Sequence, residues 1–167
     1  LNVKGTKRMI ELVSSDDRSD IETVVRSYEK LMGSDKVDLV LAPWGSGANF
    51  AVAPLANRYG YPFLARTALS RRLAETKLPY FFLMLQQPAP MTNALVDMLK
   101  ANGVKTVALI YVDELFGLEN YAAFKVALQG TGINMVEDNS FSTNTKDLSP
   151  VLRSIKDKNP DAFVGFT

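Results

Sequence analysis

The stretch that decides the fold runs from Val37 to Ala48 and reads VDLVLAPWGSGA. Its first half is an apolar run that suits a buried strand. Its second half centres on a turn of small residues, 45–47, and a helical pattern follows that turn to a stop at Gly60. A strand, a tight turn and a helix in this order expose N–H groups that have no partner within the helix. The stretch therefore predicts an anion-binding site at the turn, with Ser46 holding a ligand carboxylate.

Apolar runs and helical patterns alternate along the rest of the chain. Parallel strands need crossover helices and are covered on both faces, so this alternation predicts an α/β fold with doubly wound parallel sheets. The pattern starts again after the break at 86–90, which predicts two lobes, residues 1–87 and 88–167. In such sheets the ligand lies at the carboxyl ends of the strands. The predicted strands are residues 8–14, 37–42, 61–65, 78–85, 106–112, 133–137 and 162–167.

Composition narrows the classes of function. The chain has 167 residues, a net charge of +1, no histidine and no cysteine. It therefore lacks the commonest general base, the thiol nucleophile and the usual zinc ligands. A net charge this small gives no basic field for nucleic acid, and no apolar run is long enough to span a bilayer. We expect a binding protein without catalytic residues, metal or cofactor, although chemistry based on carboxylates or on a Ser-Lys pair stays open.

Four stretches, taken in order, resemble the type I periplasmic binding proteins. The similarity is greatest to the branched-chain amino acid branch of the solute-binding subunits of ABC transporters. The four stretches occur in the same order as in members of the family, and the match extends over nearly the whole chain. They are Ile10–Asp20 with its Asp-Asp-x-Ser-Asp, Val37–Gly47 with Ala42 replacing the usual Gly, Ala108–Gly117 with Phe116 replacing the common Tyr, and Thr145–Asp161 with Lys-Asp-Leu-Ser and a later Pro-Asp.

The resemblance implies an incomplete version of a two-lobed fold. Family members begin with another strand and helix, and they continue well beyond the point that matches Thr167. The first lobe would then lack its first strand, which in the family lies between the strands at 9–14 and 37–42. The second lobe would lack its carboxyl-terminal part. We expect either a gap in the first sheet or a strand borrowed from elsewhere.

The resemblance also assigns roles to individual residues. It gives the ligand carboxylate to Ser46, which the residues alone equally allow to be a plain helix cap. It implies a polar contact at Thr67 and aromatic walls from the two lobes. Apart from the resemblance, the charge of Arg66 allows it to be a further anion partner or a solvated loop residue. Leu69 occupies a place where the family often carries a second hydroxyl. The candidate ligand-binding residues are Trp44, Ser46, Gly47, Thr67, Ala68 and Phe116.

The function implied by the resemblance is that of the solute-binding component of an ABC transporter. The ligand would be a small carboxylate, either a branched-chain or hydrophobic amino acid or an aromatic or aliphatic acid. The lobes would close over it and deliver it to a membrane permease, so the location would be periplasmic or otherwise outside the cytoplasm. The alternative is a ligand-sensing regulatory domain of the same fold. Neither role involves nucleic acid or a membrane span of the chain itself.

Overall fold

The computed structural model describes residues 2–167. Among them, the apolar-periodic segments form five of the six α-helices, and a π-helical turn at Lys30–Ser34 extends the first of these. The sixth, a short helix at Arg71–Glu75, was not predicted, because the segment 66–77 has the polar, charged composition of a connection. The helix predicted after the small-residue turn is confirmed, and it ends at Gly60 in the left-handed conformation that favours glycine. The helices are α1 Ile21–Glu29, α2 Ser46–Tyr59, α3 Arg71–Glu75, α4 Pro88–Ala101, α5 Leu115–Leu128 and α6 Ser149–Lys158.

The strands form three separate sheets. A short antiparallel pair, β1 with β2, was not predicted from the sequence. The other two sheets are parallel: β3 pairs with β4, and β5 lies between β6 and β7. The strands are β1 Asn2–Val3, β2 Thr6–Lys7, β3 Phe63–Ala65, β4 Phe81–Leu83, β5 Thr106–Val112, β6 Asn134–Phe141 and β7 Ala162–Phe166.

The second parallel sheet is covered on both faces, as the pattern predicts. Alternate residues of β5 point to opposite faces of the sheet. Val107 and Leu109 pack in a cluster that contains residues of α4 and α5, including Phe124. Ala108 packs on the other face in a cluster with Ile155 of α6. This arrangement is the doubly wound α/β architecture.

The first parallel sheet is covered on one face by the described helices. Phe63 of β3 is fully buried in a cluster with residues of α1 and α2. The neighbouring side chains on the opposite face, Leu64 and Phe82, are 47% and 52% exposed. The expectation of a doubly wound first lobe therefore holds for one face only within residues 2–167.

Two strand predictions are wrong. Residues 8–14 form no strand, and the side chain of Met9 is 97% exposed. Residues 37–42 keep the alternation of a strand, with Val40 buried and Leu39 exposed, but they form no ladder with another strand. An apolar pattern sets which face is buried, whereas a strand also needs a neighbour for its backbone groups. Tyrosine hydroxyls take part of that role, because Tyr61 Oη donates to the Val37 carbonyl at 2.6 Å.

Asp161 joins the start of β5 to the turn before β7. Its carboxylate accepts hydrogen bonds from the N–H groups of Lys105 and Thr106, each at 2.8 Å, and from the Thr106 hydroxyl at 3.0 Å. The backbone donors, with that hydroxyl, hold the pKa of Asp161 below its ordinary value. The ionised carboxylate therefore stabilises the junction of these two strands.

We predict that this contact makes stability fall in acid. The pKa is lower in the folded chain, so the stabilisation is complete above the ordinary value of 3.8 and is lost as the pH falls towards the folded pKa. Asp161→Asn should lower the melting temperature at neutral pH and reduce its fall below pH about 4. Thermal melts between pH 3 and 7 would measure this, with the exposed Asp97→Asn as control. Parallel curves for Asp161→Asn and the unaltered chain would contradict it.

Candidate functional site

The candidate site is built around the first turn of α2. Gly45 precedes the helix with φ 83°, a conformation that glycine adopts without steric cost. The cap of α2 carries no side-chain hydrogen bond. The first N–H groups of an α-helix lack partners within it, and the helix dipole makes that end favourable for negative charge. The turn is therefore suited to an anion, as the sequence predicts.

The hydroxyl of Ser46 is tied to the backbone of Leu69. The side chain of Ser46 is 1% exposed, its Oγ accepts from the Leu69 N–H at 3.1 Å, and it donates to the Leu69 carbonyl at 3.2 Å. The sequence predicted a hydroxyl directed at a ligand. In the structure the hydroxyl joins α2 to the segment after β3.

The carbonyl of Pro43 links three parts of the site. It accepts hydrogen bonds from the Thr67 hydroxyl at 2.7 Å and from the side-chain amide of Asn49 at 2.8 Å. The same amide donates to the Gly45 carbonyl at 2.7 Å. The Thr67 hydroxyl donates its single proton to this carbonyl and so holds the side chain against the turn. The lone pairs of the hydroxyl oxygen remain available as acceptors.

The other candidates from the first half differ in accessibility. Trp44 is 83% exposed, Gly47 is partly exposed and Ala68 is fully buried. A Cβ added at Gly47 would meet Ile21 Cδ1 at 4.0 Å, which is an ordinary contact. The structure therefore brings these residues together around the α2 turn, with Trp44 at the surface and Ala68 beneath it.

Phe116 belongs to the part of the chain that packs on the second parallel sheet. It is partly buried in the first turn of α5 and packs against the core of the second parallel sheet. The next residue, Gly117, lies where the helix passes closest to β5, since an added Cβ would be 2.0 Å from the Val112 carbonyl oxygen. The link between α5 and the Ser46 region runs through Glu119, whose carboxylate accepts from the N–H groups of Arg71 and Arg72.

The sequence did not predict three residues that make these contacts. Asn49, Leu69 in its role as partner of Ser46, and Glu119 belong to no recognisable motif. Asn49 is fully buried, and its Oδ1 has no hydrogen-bond partner among the described residues. The helical spacing of Asn49 to Val52 and Ala53 puts a polar residue on the apolar face of the predicted helix, and that is a signal that could have singled it out.

Tyr28 contacts the 37–42 segment, and burial together with two charged side chains shifts the pKa of its phenol. Burial, helped by the negative charge of Asp17 and opposed by the positive charge of Arg66, raises the pKa of Tyr28 to about 12. The phenol therefore keeps its proton at neutral pH and donates it to the Leu41 carbonyl. Arg66 itself is exposed.

The acidic residues of the chain form no metal cluster within residues 2–167. Asp16 and Asp17 accept hydrogen bonds from the N–H groups of Arg18 and Ser19, respectively, and so shape the loop before α1. Across the same described residues, no helix combines the length and the apolar character that crossing a bilayer requires.

Two parallel sheets covered by helices define the α/β class, in which ligands commonly bind near the carboxyl ends of the strands. A family model described as "Periplasmic binding protein" matches residues 1–167. The chain therefore belongs to the periplasmic binding protein family. This confirms the resemblance and the fold class expected from the sequence.

Three individual proteins to which the chain is similar carry names of binding proteins or receptors. The chain is similar to the solved structure of an ABC transporter solute-binding protein from Rhodopseudomonas palustris BisB5 in complex with 3,4-dihydroxy benzoic acid, with 27% identity, a TM-score of 0.83 and 94% of this chain covered. It is 28% identical over 120 residues, 70% of its length, to Leu/Ile/Val-binding protein homolog 6 of Brucella abortus. It is 26% identical over 102 residues, 61% of its length, to Glutamate receptor 2.1 of Arabidopsis thaliana. It spans 43%, 30% and 11% of these three proteins, respectively.

Proposed function

We propose that the chain is part of the solute-binding component of an ABC transporter and that it supplies the carboxylate-binding part of the ligand site. The observation that supports this proposal most directly is the position of the Ser46 hydroxyl in the first turn of α2. The Leu69 N–H fixes its oxygen, and its donation to the Leu69 carbonyl at 3.2 Å is longer than an ordinary O–H···O hydrogen bond.

This geometry suits a hydroxyl that changes acceptor. A ligand carboxylate is a stronger acceptor than a peptide carbonyl, because hydrogen bonds to charged groups are stronger and shorter. The Ser46 proton would turn to the carboxylate while the oxygen stays bound to the Leu69 N–H. The free N–H groups of the α2 turn would supply the remaining donors.

The rest of the ligand would be apolar or aromatic. Trp44 exposes a large aromatic face beside the turn, and Phe116 would contribute a second face from the other lobe. Ala68 and Leu69 add no polar group at the base of the site. The Rhodopseudomonas relative is a complex with an aromatic acid, and the Brucella relative carries the name of a Leu/Ile/Val-binding protein. Both ligand types combine a carboxylate with an apolar body.

The two-lobe division at residue 87 gives this site a mechanism. Residues 1–87 would carry the carboxylate-binding turn, and residues 88–167 would carry Phe116. Closure of the lobes would surround the ligand, and the closed form would be recognised by a membrane permease outside the cytoplasm. This part of the proposal is supported by the separate hydrophobic clusters of the two parallel sheets, which share no residue.

Isothermal titration would test the ligand class. We expect heat of binding with benzoate, 3,4-dihydroxybenzoate or isoleucine, and none with glucose, which has no carboxylate. Benzamide serves as the matched control ligand for benzoate, because it keeps the ring and replaces the charged group by a neutral amide. Binding of glucose without binding of the acids would overturn the proposal.

A sensory role is the second candidate. It is favoured by the match to a plant glutamate receptor over 61% of this chain. Co-purification from membranes separates the two roles. Capture of permease and ATPase subunits in the presence of ligand supports transport, and capture of a signalling partner alone supports sensing.

A further inference from the structure

Glu119 connects the two halves of the chain. It lies on α5, and its two carboxylate oxygens accept from the N–H of Arg71 at 2.6 Å and from the N–H of Arg72 at 3.2 Å. These are the first two residues of α3, which has Ser70 as its cap. The Ser70 hydroxyl accepts from the N–H of Leu73 at 3.3 Å. A carboxylate from another element thus completes the capping of α3.

The segment that Glu119 holds is the one that contacts Ser46. Leu69, whose peptide group binds the Ser46 hydroxyl, is separated from Arg71 only by the fully buried Ser70. Any shift of the α3 start would therefore be transmitted to Leu69 through one fixed residue. The position of the Ser46 oxygen would change with it.

The helical position of Glu119 connects this contact to Phe116. Residues three apart in an α-helix lie on the same face. Glu119 follows Phe116 by three positions on α5, so a carboxylate fixed to α3 also fixes the direction in which the first turn of α5 approaches the first half. A contact of Glu119 with α3 would thereby also influence how Phe116 is placed relative to the α2 turn.

We propose that Glu119 is a positioning residue that sets the separation of the two halves and, through it, the affinity for the ligand. The statement about affinity rests on the function proposed above, and the statement about separation does not. The physical basis is a pair of charge-assisted hydrogen bonds to backbone donors, which are stronger than neutral ones and lie at the favourable end of a helix.

The separation is measured by a spin-label distance in the chain without ligand. The chain contains no cysteine, so Glu22→Cys on α1 and Val126→Cys on α5 introduce the only thiols. Both side chains are exposed. We expect one narrow distance distribution in the otherwise unaltered chain, a broader or displaced one with Glu119→Ala, and an intermediate one with Glu119→Gln, which keeps a single acceptor oxygen.

Affinity is measured on the same variants with benzoate and isoleucine. Loss of the two hydrogen bonds should weaken binding about 5- to 30-fold in Glu119→Ala and less in Glu119→Gln. Glu114→Gln is the matched control, because Glu114 is an exposed carboxylate at the cap of α5 with no side-chain hydrogen bond to the helix. If Glu119→Ala fails to fold by circular dichroism, Glu119→Gln carries both measurements.

The outcomes separate this inference from the proposed function. An unchanged distance distribution in a folded Glu119 variant overturns the positioning role. A changed distribution with affinity within twofold of the unaltered chain overturns the coupling to the ligand. If the unaltered chain binds none of the acids, the proposed function fails for this chain, while the distances still decide whether Glu119 sets the separation.

Discussion

Replacing Gly117 by alanine is expected to lower the melting temperature of the chain by about 5 °C or more, provided the neighbouring backbone cannot move. Gly117 is buried in the first turn of α5. A Cβ at this position would lie 2.0 Å from the carbonyl oxygen of Val112 and 2.9 Å from its carbonyl carbon. Both are backbone atoms at the end of β5, so relief requires a shift of the helix against the strand. Circular dichroism melts measure the effect.

The chain supplies a matched control for this substitution. Gly47 is also a glycine in the first turn of a helix, but its added Cβ would meet only Ile21 Cδ1, at 4.0 Å. Alanine is the better helix former by about 1 kcal/mol, so Gly47→Ala should melt at the same temperature or higher. Equal melting temperatures for Gly117→Ala and the unaltered chain would show that the end of β5 yields, and would remove the close contact as the reason for a glycine there.

Replacing Ser46 by alanine is expected to weaken the binding of benzoate or isoleucine by about 10-fold or more. The substitution removes the hydroxyl proton that would be donated to the ligand carboxylate. It also leaves the N–H of Leu69 without the Ser46 oxygen, in a residue that is 8% exposed. A buried N–H without a partner costs about 1–3 kcal/mol, so the free energy of unfolding should fall as well. Titration calorimetry and urea unfolding give the two quantities separately.

A second buried hydroxyl distinguishes binding from stability. Thr92 is fully buried in α4 and donates to the Pro88 carbonyl at 3.0 Å. Thr92→Val removes that hydroxyl at nearly constant volume and should change the unfolding free energy without changing ligand affinity. Were Ser46→Ala to lose stability alone and to titrate like the unaltered chain, Ser46 would be a structural residue and the carboxylate would have to bind elsewhere.

The local elements of the second half were predictable because their signals lie within single segments. The run Thr106–Val112 is a continuous apolar strand flanked by breaking residues, and the structure forms β5 at those residues. The cores on its two faces follow from side-chain alternation alone. The sequence also predicted a crossover helix after β5 that ends near Leu128, but it placed residues 113–117 in the loop, whereas α5 begins at Leu115.

The helix start at the centre of the candidate site was predictable, and the contacts around it were not. The small-residue turn at 45–47 indicated an anion-binding helix start, and the structure places α2 there with Gly45 at a positive φ. The partner of Ser46 could not be predicted, because Leu69 contributes through its backbone, and a backbone group has no sequence signature. Glu119 was missed for a related reason. The N–H groups that it binds belong to Arg71 and Arg72, which lie 48 and 47 positions earlier in the chain.

The sequence by itself determined five of the six α-helices among residues 2–167, the start of α2 after the small-residue turn, and the membership of the chain in a family of α/β binding proteins; it did not determine α3. These properties depend on side-chain pattern and on dihedral preference, both of which are local. Only the tertiary structure decided that residues 8–14 and 37–42 stay outside any sheet, that the Ser46 hydroxyl is bound to Leu69, and that Glu119 caps α3. Each of these depends on where a distant backbone N–H or C=O group lies, and the position of such a group is set by packing rather than by the residue that carries it.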